Sequence, residues 1–261
     1  LYSAVIDKFH FSSNAIFSFE GHPSSMSNDK LDVLRESGVT RIHLGVQSLD
    51  EAVLKKINRF QSKAVVQRCI KNIKKRGFSS INVDLVAGLP GQTTAIFLND
   101  IKTLIKWGVD FFNINPFSDI TSVTCFNKDS VTLQEVLSRR NDMIHQGKMM
   151  LESHDYVNNW QRGYMLKGDG VAKSDAEIFP GGVLGLGLLA KSNLPGQLVF
   201  QALPVGNDFS KVRYIGYPID QKYSMARYTM LHLLYGLDTK AFQKVFGKSI
   251  TSVFGKEISS L

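Results

Sequence analysis

Four times in its first 118 residues the chain passes from a short apolar run into a helical pattern, and this alternation restricts the fold more than any other feature. Ala15–Phe19, Arg41–Val46, Ile81–Val86 and Phe111–Ile114 are rich in β-branched and aromatic residues and read as strands. The segments between them carry apolar residues at helical spacing, and strands separated in this way pair in parallel through right-handed crossovers. The expected class is therefore α/β. Periodicity leaves two architectures open, an open doubly wound sheet and a whole or partial (β/α) barrel.

The helices are bounded by recognisable signals. Ser27 or Asn28 can cap a helix over Asp29–Ser37 that ends at Gly38, and Ser62–Arg76 stops at Gly77. Thr93–Trp107 stops at Gly108. Ser48 and Glu51 have the spacing of a capping box. After Ser118 the pattern loosens into a long amphipathic helix, Leu133–Ser153, then the glycine-rich stretch Gly181–Gly187, then two or three helices over Ser224–Leu261. Met225, Tyr228, Leu231 and Leu234 share one helical face and read as core. A boundary near Ser118–Leu133 is expected, with a first region over 1–125 and a mainly helical C-terminal region over 126–261.

Composition excludes several classes. No apolar run is long enough to cross a bilayer, and the net charge of +8 is scattered along helices without an aromatic-interleaved stripe, which gives no support for nucleic-acid binding. Two cysteines, Cys69 and Cys125, form no disulfide framework and fit a reducing compartment, so a cytoplasmic location is expected. Cys69 falls inside a helix and reads as core. The six histidines show no paired zinc spacing, and no metal ligand is assigned.

In parallel α/β folds ligands bind at the carboxyl ends of strands. Applied here, this picks out Glu20 after the first run, Gln47 after the second, Asp84 in the third, and Asn115 and Ser118 after the fourth. Carboxylates accept from ribose hydroxyls and an amide both donates and accepts, an inventory suited to a nucleoside. Each also has a structural alternative: Glu20 can pair with a lysine, and Gln47 can cap the helix that follows. Asp84 sits least easily as structure, because an unpaired buried carboxylate is costly. Arg59 could clamp a carboxylate, but its position alone favours solvent. Gly88-Leu89-Pro90-Gly91 lacks the spacing and lysine of a phosphate loop and reads as a tight turn, and Gly185 with Gly187 lacks a dinucleotide fingerprint.

The succession Phe19-Glu20-Gly21-His22-Pro23, Gly45-Val46-Gln47-Ser48, Asn58-Arg59 and Asp84-Leu85-Val86-Ala87-Gly88-Leu89-Pro90-Gly91-Gln92-Thr93 closely resembles the oxygen-independent coproporphyrinogen III oxidase family of radical S-adenosylmethionine (SAM) enzymes. Gly185–Ser192 is similar to that family's C-terminal glycine-rich segment. The resemblance implies a partial (β/α) barrel with SAM at its strand ends. It also implies a [4Fe–4S] cluster that cleaves SAM to a 5′-deoxyadenosyl radical. It places Glu20, Gln47, Arg59, Asp84 and Ser118 at cofactor-contacting positions and overrules the solvent reading of Arg59. It leaves the catalytic residues unassigned.

The family's three-cysteine cluster motif is absent here, and truncation upstream of Leu1 is the expected reason. The function implied is a radical SAM oxidoreductase acting on a tetrapyrrole, with an electron donor such as flavodoxin or ferredoxin; this fragment alone would be inactive. Two relatives of the family stand as alternatives, an anaerobic haem-degrading radical SAM methyltransferase and a haem chaperone that binds haem without turnover.

Overall fold

The computed structural model describes residues 7–8, 10–11, 15–117, 133–159, 163–167, 184–185, 188–194, 198–206, 208–233 and 237–259. The chain divides into two compact units, Leu1–Ala172 and Lys173–Leu261.

In the first unit β1 (Ser18–Gly21), β2 (Arg41–Gln47), β3 (Ser80–Ala87), β4 (Phe111–Pro116), β5 (Tyr156–Asn159) and β6 (Gly163–Leu166) form a six-stranded sheet ordered β1-β2-β3-β4-β6-β5. The first three pairings are parallel, whereas β6 pairs antiparallel with both β4 and β5. The connecting helices are α1 (Asn28–Glu36), α2 (Glu51–Lys56), α3 (Lys63–Lys75), α4 (Thr94–Lys106) and α5 (Leu133–Glu152). Parallel strands laid down in chain order, each joined by a right-handed crossover, place their helices on one side of the sheet. This decides between the two architectures left open by periodicity: the sheet is singly wound, as in a partial barrel.

The core follows. Ile42, Leu44 and Val46 of β2, Val83 and Leu85 of β3 and Phe112 of β4 pack with Val66, Ile70 and Ile73 of α3, Phe97, Ile101 and Leu104 of α4, and Met143 and Leu151 of α5. Side chains alternate across a strand, so the intervening residues point away from these helices. The register aligns them in rows. Glu20 lies beside His43, His43 beside Asn82, Gly45 beside Asp84 and Asp84 beside Asn113.

Three helix starts form as their sequences require: the hydroxyls of Ser27, Ser62 and Thr93 accept the backbone N–H groups of Lys30, Val65 and Ile96. The expected capping box at Ser48 does not form. Asp50 caps α2 through a 2.9 Å bond from Val53 N, while the Ser48 hydroxyl donates to Asp100 Oδ2 at 2.6 Å. A buried carboxylate needs a donor more than a helix end that already has Asp50. The 125/126 boundary expected from sequence falls inside the first unit, because α5 completes its core and β5 and β6 extend its sheet.

The second unit contains the expected helices, α6 (Gln221–Leu233), α7 (Thr239–Phe246) and α8 (Ile250–Ile258), built around Met225, Tyr228, Phe242 and Ile250. Leu234 and the side chain of Leu231 lie outside the described residues. The unit also holds an antiparallel sheet of β7 (Lys191–Leu194), β8 (Leu198–Val205) and β9 (Asp208–Pro218), which the sequence reading did not foresee. Gly206 turns the chain between β8 and β9 at φ 59°.

Candidate functional site

The face of the β1–β4 sheet turned away from the helices carries polar residues on every strand, and its chemistry centres on Asp84. Oδ1 of Asp84 accepts from Asn113 Nδ2 at 2.7 Å and Asn115 Nδ2 at 3.4 Å, and His43 Nε2 lies 3.0 Å from the same oxygen. Alternation along β4 delivers both asparagines to this face, and the offset between neighbouring parallel strands brings His43 to Asp84. All three donors converge on one oxygen. Oδ2 receives none from the described residues, and the side chain keeps 15% of its exposure.

Burial alone would favour protonation of Asp84, but the bond and charge of His43 and the two amides outweigh it and hold the carboxyl below its ordinary range. For His43 the largest influence is also burial, which lowers its pKa. The contact with Asp84 and the charges of Asp84 and Glu20 overcome it and raise the imidazole's pKa above its usual value.

Gln47 and Arg59 meet over Gly45, the register partner of Asp84. A Cβ at Gly45 would stand 3.2 Å from Gln47 Nε2 and 3.5 Å from Arg59 Nη2, so a residue without a side chain leaves room for both. The Arg59 guanidinium donates to the Gly45 carbonyl and is half-buried, and burial lowers its pKa. The position-based reading that placed Arg59 in solvent is corrected by this contact. Gln47 does not cap α2. It occupies a left-handed conformation, φ 66°, at an irregularity in the β2–β3 register that carries it past the end of the ladder.

His22 lies close enough to Arg59 for its imidazole pKa to be lowered, by burial first and by the arginine's charge second. Its Nδ1 accepts from Ser24 N at 3.1 Å, which starts a short 3₁₀ turn over Pro23–Ser25. Glu20 is exposed on β1 beside His43. Glu20, Gln47, Arg59 and Asp84 thus stand around His43 and Gly45, while Ser118 lies outside the described residues. His43 and Asn113 were not singled out from sequence. The signal was there, since Asn113 sits two residues before Asn115 and His43 four before Gln47, and alternation assigns them to the same face.

Other motif residues are structural. Gln92 ties down the turn after β3: its Oε1 accepts from Gly88 N at 2.9 Å and Leu89 N at 3.1 Å, and its Nε2 donates to Val86 O at 3.2 Å. Gly88 has φ 88°, as the tight-turn reading requires. Cys69 is buried on α3 and burial pushes its thiol up to about 11, so it is core.

The fit to an adenosyl ligand is one of donor chemistry. The site offers carboxylate oxygens for hydroxyls, an amide and a guanidinium. Three buried polar atoms near the end of β2, His43 Nε2, Arg59 Nε and Gln61 Oε1, have no aligned hydrogen-bond partner among the described residues. For an iron–sulfur cluster the described residues do not fit, because no three His, Cys, Asp or Glu side chains among them stand where they could hold a metal. Cys125 lies outside the described residues. No helix among the described residues is long and apolar enough to cross a membrane.

Residues 4–115 match the Radical SAM superfamily model. A protein of Lactococcus lactis named heme chaperone HemW is 34% identical over 106 residues, covering 41% of this chain and 28% of that protein. An oxygen-independent coproporphyrinogen III oxidase of Salmonella typhimurium is 27% identical over 179 residues, covering 68% of this chain and 38% of the enzyme. The chain therefore spans well under half the length of these relatives. In fold it is similar to coproporphyrinogen III oxidase (HemN) from Escherichia coli, a radical SAM enzyme, with TM-score 0.78 and 20% identity over 99% of this chain and 64% of that one. Over residues 4–115 the chain is thus similar to the radical SAM superfamily, and the relatives it resembles include coproporphyrinogen III oxidases and HemW chaperones.

Proposed function

We propose that the chain is the SAM-binding core of a radical SAM oxidoreductase that acts on a tetrapyrrole, in the manner of the oxygen-independent coproporphyrinogen III oxidases. The observation that carries this reading is the gathering of Glu20, Gln47, Arg59 and Asp84 around His43 and Gly45, on the face that no core helix covers. When bound, SAM supplies the adenosyl radical chemistry of the superfamily. No step through an iron–sulfur cluster is assigned to the described residues.

The chain's own groups bind and orient. Asp84 offers Oδ2 to a hydroxyl because its other oxygen is already held by Asn113, Asn115 and His43. Arg59, fixed against the Gly45 carbonyl, presents its remaining N–H groups to a carboxylate, and a planar fork suits that geometry. Glu20 adds a second acceptor at the exposed edge. Gln47 contributes an amide that both donates and accepts. The second reading, a haem chaperone, is favoured by the 34% identity to HemW of Lactococcus lactis.

The two readings separate in an anaerobic assay of the native protein reconstituted with iron and sulfide. Cleavage of SAM together with release of carbon dioxide from coproporphyrinogen III is the expected result. Stable haem binding with no porphyrin turnover supports the chaperone instead. Cleavage of SAM with opening of the haem ring supports the haem-degrading methyltransferase, and an absence of all three overturns the tetrapyrrole assignment.

A further inference from the structure

Among the described residues of the polar face His43 is the imidazole whose pKa is raised, and the reading above gives it no ligand atom to touch. Neighbouring strands put a carboxylate on each side of it: Glu20 is its register partner on β1, and Asp84 of β3 stands 3.0 Å from Nε2. Arg41, two residues earlier on its own strand, is the remaining charged group that acts on it. Asn82, its register partner on β3, is neutral. The imidazole is itself largely buried, with 22% of its side chain exposed. Its Nε2 stands 3.0 Å from Asp84 Oδ1, and both that contact and the carboxylate's charge favour the imidazolium.

We propose that His43 is a positioning residue for Asp84. As an imidazolium between two carboxylates it draws Oδ1 inward and turns Oδ2 toward a hydroxyl of the adenosyl ligand. The inference rests on the reading that Asp84 contacts that ligand, and extends it to a residue that touches no ligand atom. The two carboxylates stand on the strands that flank β2, and a cation on β2 between them offsets their mutual repulsion. The sign follows: His43 is charged below its raised pKa, and the carboxylates lose their shared cation as pH rises through it. Binding of the ligand to the positioned carboxylate is therefore strongest on the acid side of that titration.

The probe is S-adenosylhomocysteine, which keeps the adenosyl ribose and lacks the sulfonium charge that would itself respond to the site's net charge. Its affinity for the native protein is measured by calorimetry between pH 5.5 and 8. Wild type is expected to lose roughly tenfold across this range, the equivalent of one charge-assisted contact. His43→Gln removes the charge and keeps a neutral amide, so its profile should be flat and near the weak, high-pH limit of wild type. Parallel profiles for wild type and His43→Gln, with Asp84→Ala abolishing binding, overturn the role of His43 and leave the ligand assignment intact. Unchanged binding by Asp84→Ala overturns both. Should His43→Gln fail to fold, the His43 ring is titrated by NMR in wild type with and without the probe. An upward shift of its pKa on binding is expected, and no shift overturns the proposal.

Discussion

Asp100 carries a pH dependence that can be worked out in advance. It lies on α4 with 2% of its surface exposed, and the Ser48 hydroxyl donates to its Oδ2 at 2.6 Å. Burial pushes the carboxyl up to about 6, against the opposing effects of the bonds from Ser48 and from the Leu49 backbone. An unfolded aspartate titrates near 3.9. A folded value above the unfolded one means that the native state holds its proton more tightly. The contribution to stability is therefore greatest below about 3.9 and is lost as pH rises toward 6. Two units of displacement correspond to about 3 kcal/mol, of which about 2 kcal/mol falls between pH 4.5 and 7.5. Asp100→Asn keeps the shape and cannot ionise. Urea unfolding followed through Trp107, which packs on the same core, should show the variant gaining about 2 kcal/mol relative to wild type across that range. A gap that stays constant with pH would refute the reasoning, since it would mean that the carboxylate ionises equally easily in both states.

Three other outcomes are expected. Gln47→Gly relieves the left-handed backbone at φ 66°, a gain of about 1 kcal/mol that glycine's flexibility in the unfolded chain largely offsets; the melting curve should hardly move while binding of S-adenosylhomocysteine weakens. Gln92→Leu strips the turn after β3 of the acceptor for Gly88 N and Leu89 N, and two buried donors left unpaired should cost about 3 kcal/mol in urea unfolding. Phe97→Ala opens a void between α4 and the sheet where the ring is fully buried, and a loss of about 4 kcal/mol is expected from the same measurement.

The parallel strands and their helices were readable because each depends on a local signal. Ser62 and Thr93 mark helix starts by their hydroxyls, and Ile42, Leu44 and Val46 mark one side of β2 by their spacing. What chain-local patterns could not supply was the competition for partners. Ser48 has the spacing to cap α2, yet Asp50 accepts from the Val53 N–H and the Ser48 hydroxyl donates to Asp100, 52 positions later. The choice between doubly wound and singly wound sheets rested on strand order, which periodicity does not contain. Within the site, strand-end residues such as Glu20 and Asp84 were legible by rule, and Arg59 only by resemblance. His43 was passed over because it was considered as a zinc ligand, and its neighbours across the sheet come from strands 23 and 41 residues away. The sheet of the second unit went unrecognised because Pro204 and Gly206 break the pattern where β8 meets β9, and the antiparallel pairing is not written in either strand alone.

Each strand of the first sheet divides its labour by parity: alternate residues meet the helices, and the others meet whatever the protein binds. Mutation can therefore rewrite one set of letters without editing the other. The imidazole at position 43 stands between the fully buried Ile42 and Leu44, so its chemistry can be altered while the hydrophobic half of the strand stays fixed.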